Sequence, residues 1–220
     1  MTSNPTQVLQ AEIARLREEN ERLQNELYNL RQFVQALQAL SQAEAAYHSH
    51  ADLLRLLDEI GRLTLDLLSA PDGSLLLLDP ETGELEFVIV YGVARDLTGT
   101  RLQPGEGIAG WVAAEGKPCI VPDVRVDPRF SARIDQLTHF QTKSIAAAPL
   151  IGNGHILGVV EVLNRPEDDP FDALDQALLA LFCRFAGEAL ANIEQATREA
   201  ELLEPPDYGL EPEGGAQGLR

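Results

Sequence analysis

Residues 104–165 read PGEGIAGWVAAEGKPCIVPDVRVDPRFSARIDQLTHFQTKSIAAAPLIGNGHILGVVEVLNR. Glycines at the start of this stretch open a short helix, and Pro122-Asp123 forms a corner after an apolar strand. Three spaced polar residues precede the next strand: Asp135, Thr138 and Thr142. Asn153-Gly154 is the strongest local hairpin signal in the chain. This order of helix, polar segment and hairpin is the order that one kind of small-molecule-binding domain needs.

The rest of the chain supplies more strands and a long helix. Apolar or β-branched runs bounded by turn residues predict five strands: Ser74–Asp79, Leu85–Tyr91, Cys119–Val121, Ile145–Ile151 and His155–Leu163. Apolar residues at helical spacing predict a closing helix from Phe171 to about Leu203. Consecutive hairpins with helices at the ends predict an α+β fold, in which helices flank a central antiparallel sheet.

The N-terminal region carries a heptad repeat. Leucine occupies every d position, and the a positions hold mostly branched apolar residues: Leu9, Leu16, Leu23, Leu30 and Leu37 at d; Ile13, Asn20, Leu27 and Val34 at a. A single asparagine at an a position favours two parallel strands in register, since its amide pairs with the same amide of the partner. The charged residues beside the stripe also favour a parallel dimer, because Glu12 would face the partner's Arg17 and Glu26 would face the partner's Arg31. We therefore expect a coiled-coil dimerisation helix over residues 6–45 and a homodimer.

An alternative is that this helix folds back on its own domain. The heptad stripe would place Ser41, Glu44 and His48 inward after Leu37, so the coiled coil should weaken there. A second apolar stripe starts at Leu53, out of phase with the first, which makes residues 41–52 a candidate hinge. We expect the α+β domain, which follows the coiled-coil helix and is here called the sensor domain, over residues 50–203.

Composition excludes several classes of function. A net charge of −18 argues against nucleic-acid binding, and no apolar run is long enough to cross a membrane. The first residues lack the basic and apolar regions of a secretion signal, so we expect a cytoplasmic protein. Residues 204–220 are acidic and rich in proline and glycine, which predicts a disordered acidic tail. Two cysteines, Cys119 and Cys183, are too few for a disulfide framework.

The glycine motif at 105–110 fits the pattern G-x-G-x-x-G, but it does not predict a dinucleotide site. That site needs a buried strand before the glycines and a parallel βαβ unit after them, whereas Gln103-Pro104 precede them here and an antiparallel hairpin follows. Two interpretations remain. The helix start offers free N–H groups and a positive dipole end to an anion, or the glycines simply permit a tight turn.

Residues 50–200 resemble the GAF family of sensor domains, in particular the cyclic-nucleotide-binding GAF domains of phosphodiesterases and some bacterial adenylate cyclases. The resemblance rests on GIAGWVAAEG, PDVRVDPRF, FQTKSIAAAPL and GVVEVLNR. These relatives share an Asn-Lys, Phe and Asp-Glu signature, where this chain has Asn164-Arg165, Phe171 and Asp175-Gln176. The resemblance implies a structural role for these residues, with the arginine pairing with Asp175.

The resemblance also implies a ligand site. Its helix-start amides fall on Ile108 and Ala109, its polar lid residues on Asp135, Thr138 and Thr142, and its strand acid on Glu161. Two positions depart from the nucleotide-binding relatives. Ser131 stands where they have a tyrosine, and Val90-Tyr91 stand where they have a Phe-Asp pair that contacts guanine. The departures put cGMP in doubt more than a cyclic nucleotide such as cAMP.

We therefore expect a regulatory module rather than an enzyme. The chain shows no nucleophile with a matching base, no metal-ligand spacing and no clustered cysteines of the kind that methionine sulfoxide reduction requires. No resident cofactor is expected, and the output should belong to a partner such as a kinase or another regulator. Two alternatives stay open: a different small ligand, or a ligand-free dimeric adaptor.

Overall fold

A computed structural model describes residues 5–46, 50–166 and 170–203. Five helices and six strands follow one another in the order α1 (Pro5–Ala46), α2 (His50–Leu68), β1 (Asp72–Leu78), β2 (Leu85–Tyr91), β3 (Arg101–Leu102), α3 (Gly107–Glu115), β4 (Cys119–Val121), α4 (Arg133–Thr138), β5 (Ile145–Gly152), β6 (His155–Leu163) and α5 (Ala173–Leu203). Short 3-10 turns lie at Gly92–Leu97 and Val124–Val126. The predicted acidic tail at 204–220 lies outside the described residues.

All strand pairs of the single sheet are antiparallel, and the strand order is β3-β2-β1-β6-β5-β4. The β5–β6 hairpin turns at Asn153 and Gly154, which both have positive φ angles of 51° and 77°. A two-residue turn with that geometry matches the right-handed twist of the strands, which is why Asn-Gly favours it. The predicted α+β fold is confirmed.

Alternate side chains along the strands pack into two separate hydrophobic cores, one on each face of the sheet. Leu75 and Val160 point toward the helices, whereas Leu76 and Val159 point to the opposite face of the sheet. Helices α1, α2 and α5 cover the first face, and α3 and α4 cover the second. Because successive residues of a strand face opposite ways, both faces of the central strands can be apolar.

Helix α1 runs unbroken from Pro5 to Ala46, and its last turns pack against α2 and α5 of the same chain. Four residues of α1 are buried in the helix-side core: Phe33, Ala36, Leu40 and Ala43. The C-terminal end of α1 therefore packs on its own domain, as in the alternative interpretation of this helix. The domain core extends to residues that precede the boundary at 50, because α1 fills the space that α2 and α5 leave.

The heptad stripe remains exposed along most of α1. Its exposed members are Leu9, Ile13, Leu16, Leu23, Leu27, Leu30 and Val34. Of the candidate hinge at 41–52, residues 47–49 lie outside the described part of the chain. Among the described residues, no helix combines the length and the low polarity that spanning a lipid bilayer requires.

Candidate functional site

A cavity lies between the sheet and helices α3 and α4. Its volume is ≈ 70 Å³, which is below the range of about 300 to about 1,000 Å³ found for small-molecule sites, so the cavity must widen to hold a ligand of nucleotide size. The structure brings all eight residues of the predicted ligand site to the wall of this cavity: Tyr91, Ile108, Ala109, Ser131, Asp135, Thr138, Thr142 and Glu161. Their contact with a ligand stays a prediction.

The N-terminus of α3 forms one end of the cavity. Gly107 has a φ of 70°, which turns the chain into the helix, and Ile108 and Ala109 follow it in the first turn. The side chain of Glu106 makes no capping hydrogen bond to the helix. Since the first N–H groups of a helix have no partner within it, this end can accept an anion.

Glu106 instead holds the lid. Arg133 of α4 donates to the Glu106 carboxylate at 2.6 Å and to the Arg101 carbonyl at 2.8 Å. The Ser131 hydroxyl also points to Glu106, at 3.4 Å, and so lies between the lid and the start of α3. The guanidinium of Arg133 keeps the pKa of Glu106 below its usual value. This ion pair fastens the lid helix over the cavity.

The polar residues of the lid bond to each other. Asp135 accepts two hydrogen bonds from Thr142, at 2.9 Å from its N–H and 2.6 Å from its hydroxyl. The Thr138 hydroxyl donates to the Ile134 carbonyl at 3.0 Å. The hydroxyl donors are thus used within the protein, and only their acceptor lone pairs remain for a ligand.

Glu161 lies on β6 and closes the cavity from the sheet side. It is partly exposed toward the cavity, and the Ser74 hydroxyl points to its carboxylate at 3.4 Å. Burial raises the pKa of Glu161 to about 7, although Ser74 and the Ala109 N–H both oppose that rise. A carboxyl near its pKa at neutral pH can either donate or accept a hydrogen bond.

Tyr91 does not direct its hydroxyl group at a nucleotide base in the cavity. Its ring lines the cavity, but its hydroxyl is within 2.6 Å of the Asp58 carbonyl and 2.8 Å of the Asp58 carboxylate on α2. The ring also packs against Gly61, where any side chain would collide with it. Desolvation and Asp58 raise the pKa of the Tyr91 hydroxyl. Tyr91 therefore connects the cavity wall to the helix layer.

Sequence reasoning missed other residues of the site. Asp72 and Ser74 line the cavity from β1, and Ser74 lies opposite Glu161 in the β1–β6 register. Polar residues at the start of an apolar strand were the available signal, but only the strand pairing places them beside Glu161. Of the described side chains that line the cavity, the acids are Asp72, Asp135 and Glu161, and none is lysine, arginine or histidine.

The signature residues fasten α5 to the sheet, as the resemblance implied. Arg165 donates to Asp175 at 2.7 Å and to the Leu68 carbonyl at 3.1 Å, and it stacks on the Phe171 ring. Asp175 is buried. Gln176, which replaces the acid of the relatives, donates to the Pro118 carbonyl at 3.1 Å. These residues are structural, because none of their side chains lines the cavity.

The cysteines lie in the packed interior. Both are buried, and burial raises the pKa of the Cys119 thiol to about 11. Burial also raises the pKa of Cys183, on α5. Such thiols carry little thiolate at neutral pH. Within the described ranges, no three His, Cys, Asp or Glu residues are grouped as metal ligands.

Comparison with known proteins gives the same fold. The chain is 35% identical over 95 residues, 43% of its length, to the dual 3',5'-cyclic-AMP and -GMP phosphodiesterase 11 of Drosophila melanogaster, and it spans only 6% of that protein. The GAF domain of a phosphoenolpyruvate-protein phosphotransferase from Coxiella burnetii matches with a TM-score of 0.64 at 20% identity, over 76% of this chain and 96% of that one. A free methionine-R-sulfoxide reductase from Neisseria meningitidis matches with a TM-score of 0.58 at 21% identity, over 76% and 93%.

The two structural matches show the fold alone, since their sequences are too distant to carry function. The family model described as GAF domain matches residues 52–190. That range includes the whole sheet, the cavity and most of α5. GAF domains are regulatory modules, and the chain belongs to the GAF domain family.

Proposed function

We propose that this chain is a cytoplasmic, homodimeric sensor that binds a cyclic nucleotide in the cavity between the sheet, α3 and α4. The observation that carries the proposal is the cavity itself, which all eight residues of the implied ligand site line. The similarity of a 95-residue segment to a dual cyclic-AMP and -GMP phosphodiesterase supports the same ligand class. The output belongs to a separate protein, such as a kinase or another regulator.

The chemistry of the wall favours a ligand with one negative charge and several hydrogen-bond donors. The phosphate of a cyclic nucleotide carries a single charge, which the helix dipole and the Ile108 N–H would stabilise, joined by the Ala109 N–H if the phosphate displaces the Glu161 carboxylate from it. The acids Asp135 and Glu161 would accept from ribose hydroxyl or base amino groups. A polyanion is disfavoured, because the described ionisable side chains around it are acidic.

Tyr91 supports cAMP ahead of cGMP. Its hydroxyl is engaged by Asp58 and so is not directed at a base in the cavity. A guanine would therefore lack the acidic contact that the relatives provide at this position. The adenine amino group needs only an acceptor, and Asp135 has carboxylate lone pairs in addition to those used by Thr142.

The same tyrosine offers a route from the cavity to the helices. A ligand that moves β2 would pull on Asp58 through the Tyr91 hydroxyl, and α2 packs against both α1 and α5. We infer that closure of the lid changes the packing of α1, and with it the geometry of the dimer that the heptad stripe forms.

One observation favours the ligand-free adaptor as a second candidate. Asp135, Thr138 and Thr142 are already satisfied by bonds within the lid. Buried polar groups that are paired without a ligand do not need one for stability. The adaptor would have the same fold and the same dimer, but no change linked to a ligand.

Thermal melting with cAMP, cGMP and cyclic dinucleotides separates these two functions. A ligand at about one hundred times its dissociation constant adds about 2.7 kcal/mol to the free energy of unfolding. We expect the largest shift with cAMP; no shift with any nucleotide would leave the adaptor as the better account.

A variant pair then tests the position of the site. Thr138→Val removes a cavity hydroxyl at nearly constant shape, and calorimetry should show cAMP affinity reduced roughly 10-fold. Thr82→Val is the matched control, since Thr82 lies in the exposed β1–β2 turn. Equal affinities of the two variants would place the ligand elsewhere.

A further inference from the structure

Glu161 lies in the middle of a row of side chains that crosses the cavity face of the sheet. Strand pairing places Ser74 of β1 on one side of it and Ala147 of β5 on the other, and Cys119 of β4 lies beyond Ala147. Residues that pair directly in antiparallel strands point to the same face of a sheet. Val159, two residues earlier on β6, is also on this face and is fully buried. These neighbours offer the Glu161 carboxyl a hydroxyl group but no positive charge.

The start of helix α3 lies against the same carboxyl. The Ala109 N–H is close enough to the Glu161 carboxylate to lower its pKa, and the Ser74 hydroxyl points to that carboxylate at 3.4 Å. Ala109 belongs to the first turn of α3, where the N–H groups have no partner within the helix. Glu161 therefore occupies the place where the start of this helix would bind an external anion.

The other ionisable groups around this carboxyl do not supply a cation. Among the described side chains, those that line the cavity or act on the carboxyl from the neighbouring strands and the lid are acidic or neutral: Asp72 on β1, Tyr91 on β2, Cys119 on β4 and Asp135 on α4. Arg129 of the lid is paired with Asp127 at 2.6 Å. Arg133 is paired with Glu106, also at 2.6 Å. An anion at the start of α3 therefore depends on main-chain N–H groups and the helix dipole.

We propose that Glu161 is an internal anion that competes with the ligand for the start of α3, so that binding of a cyclic nucleotide takes up a proton on Glu161. The inference rests on the proposed function, because it concerns the same cavity, and it adds how binding depends on pH. The ligand phosphate displaces the carboxylate from the Ala109 N–H. Two like charges would then share one enclosed site, so the carboxylate takes a proton from the solvent.

Protonation turns Glu161 from a competitor into a contact for the ligand. The neutral carboxyl has an O–H donor for a phosphate oxygen, and its carbonyl oxygen can still accept from a ribose hydroxyl. Because the pKa of Glu161 is already about 7 in the folded chain, the proton costs little near neutral pH. Movement of this side chain away from α3 also widens a cavity whose volume is only ≈ 70 Å³.

Calorimetry of the full chain with cAMP as the probe measures this exchange. Titrations in two buffers that differ in ionisation enthalpy give the number of protons taken up per bound cAMP. Since the complex binds more protons than the free chain, affinity should fall as the pH rises. With a pKa of about 7, wild type should take up roughly 0.1 proton at about pH 6 and roughly 0.9 at about pH 8, and its dissociation constant should rise roughly 10-fold between them.

Glu161→Gln removes the proton uptake at nearly constant shape. Its amide group can donate to the phosphate as the protonated carboxyl does, but it does not titrate. The dissociation constant of this variant should be equal at the two pH values and roughly 10-fold below that of wild type at about pH 8. Glu81→Gln, in the exposed β1–β2 turn, is the matched control and should follow wild type. Circular dichroism checks that both variants fold.

The outcomes separate this inference from the proposed function. If wild type binds cAMP with an affinity that is constant or rises with pH, Glu161 binds the ligand as a carboxylate, and the inference is wrong while the ligand site stands. No binding of cAMP at either pH would refute both. If Glu161→Gln does not fold, nuclear magnetic resonance of wild type decides: the Ala109 amide nitrogen should titrate with a midpoint of about 7 without cAMP and should not titrate at saturating cAMP. An Ala109 signal that ignores pH in both cases would contradict the exchange.

Discussion

Replacing Glu161 with glutamine should make the stability of this protein depend differently on pH. The Glu161 carboxyl is enclosed at the cavity wall, and its pKa is about 7 in the folded chain against 4.5 for an ordinary glutamate. The unfolded chain therefore releases this proton first as the pH rises. The stabilising contribution of the protonated form is complete below about pH 4.5 and is lost as the pH rises through about 7.

The magnitude follows from the two pKa values. Each pH unit between them corresponds to about 1.4 kcal/mol, so the full contribution is about 3 kcal/mol. Most of that interval, about 2.5 kcal/mol, lies between about pH 5 and about pH 8. Glutamine carries no charge at either pH. Relative to wild type, the Glu161→Gln variant should therefore gain about 2.5 kcal/mol on going from pH 5 to pH 8.

Thermal unfolding at the two pH values measures this change. For a chain of this size, 1 kcal/mol shifts the midpoint by about 2–4 °C, so the difference between variant and wild type should grow by roughly 5–10 °C. Glu81→Gln, in the exposed β1–β2 turn, is the control and should follow wild type. A difference for Glu161→Gln that is the same at both pH values would refute the reasoning, because the carboxyl would then be ionised to the same extent in the folded and the unfolded chain over that range.

Three further predictions concern the packing around α5 and the thiols. Arg165→Met leaves the buried Asp175 without its 2.7 Å partner, so urea unfolding should show a loss of about 3–5 kcal/mol; a loss below about 1 kcal/mol would contradict the structural role. Gly187→Ala should lower stability by about 1–3 kcal/mol in the same assay, because its new methyl would collide with the Ile151 carbonyl oxygen. Cys119 should react with a thiol reagent at about pH 8 only after denaturant is added, since burial raises its pKa to about 11; rapid reaction of the folded chain would show that it is accessible.

Local sequence features were enough to predict five of the six strands, the hairpins and the order of the cavity elements, but they missed the two-residue strand β3. The β5–β6 hairpin is an example, because Asn153-Gly154 adopts the left-handed angles of a tight turn without help from distant residues. The ends of α5 and of the predicted strands follow from periodicity to within two residues. The eight implied site residues also reach one cavity, because the family pattern encodes their order along the same fold.

The hydrogen-bond partners of the site residues could not be predicted from local sequence features. The Ser74–Glu161 contact joins strands that are 87 residues apart, and the Tyr91–Asp58 contact joins β2 to α2 over 33 residues. Each depends on the register of the sheet and on how the helices lie across it. The sequence showed that Tyr91 was present, but the packing of its ring against Gly61 decided where its hydroxyl points.

What the sequence determined by itself was periodic or local: the heptad stripe of α1, the antiparallel hairpins and the glycine turn into α3. Side chains within a few residues of each other fix such features through backbone geometry alone. Only the tertiary structure decided that the end of α1 belongs to the domain core, that the lid polar groups bond to each other, and that Glu161 is enclosed with a raised pKa. These properties arise from burial, which depends on segments that are distant in sequence and come together only when the chain is folded.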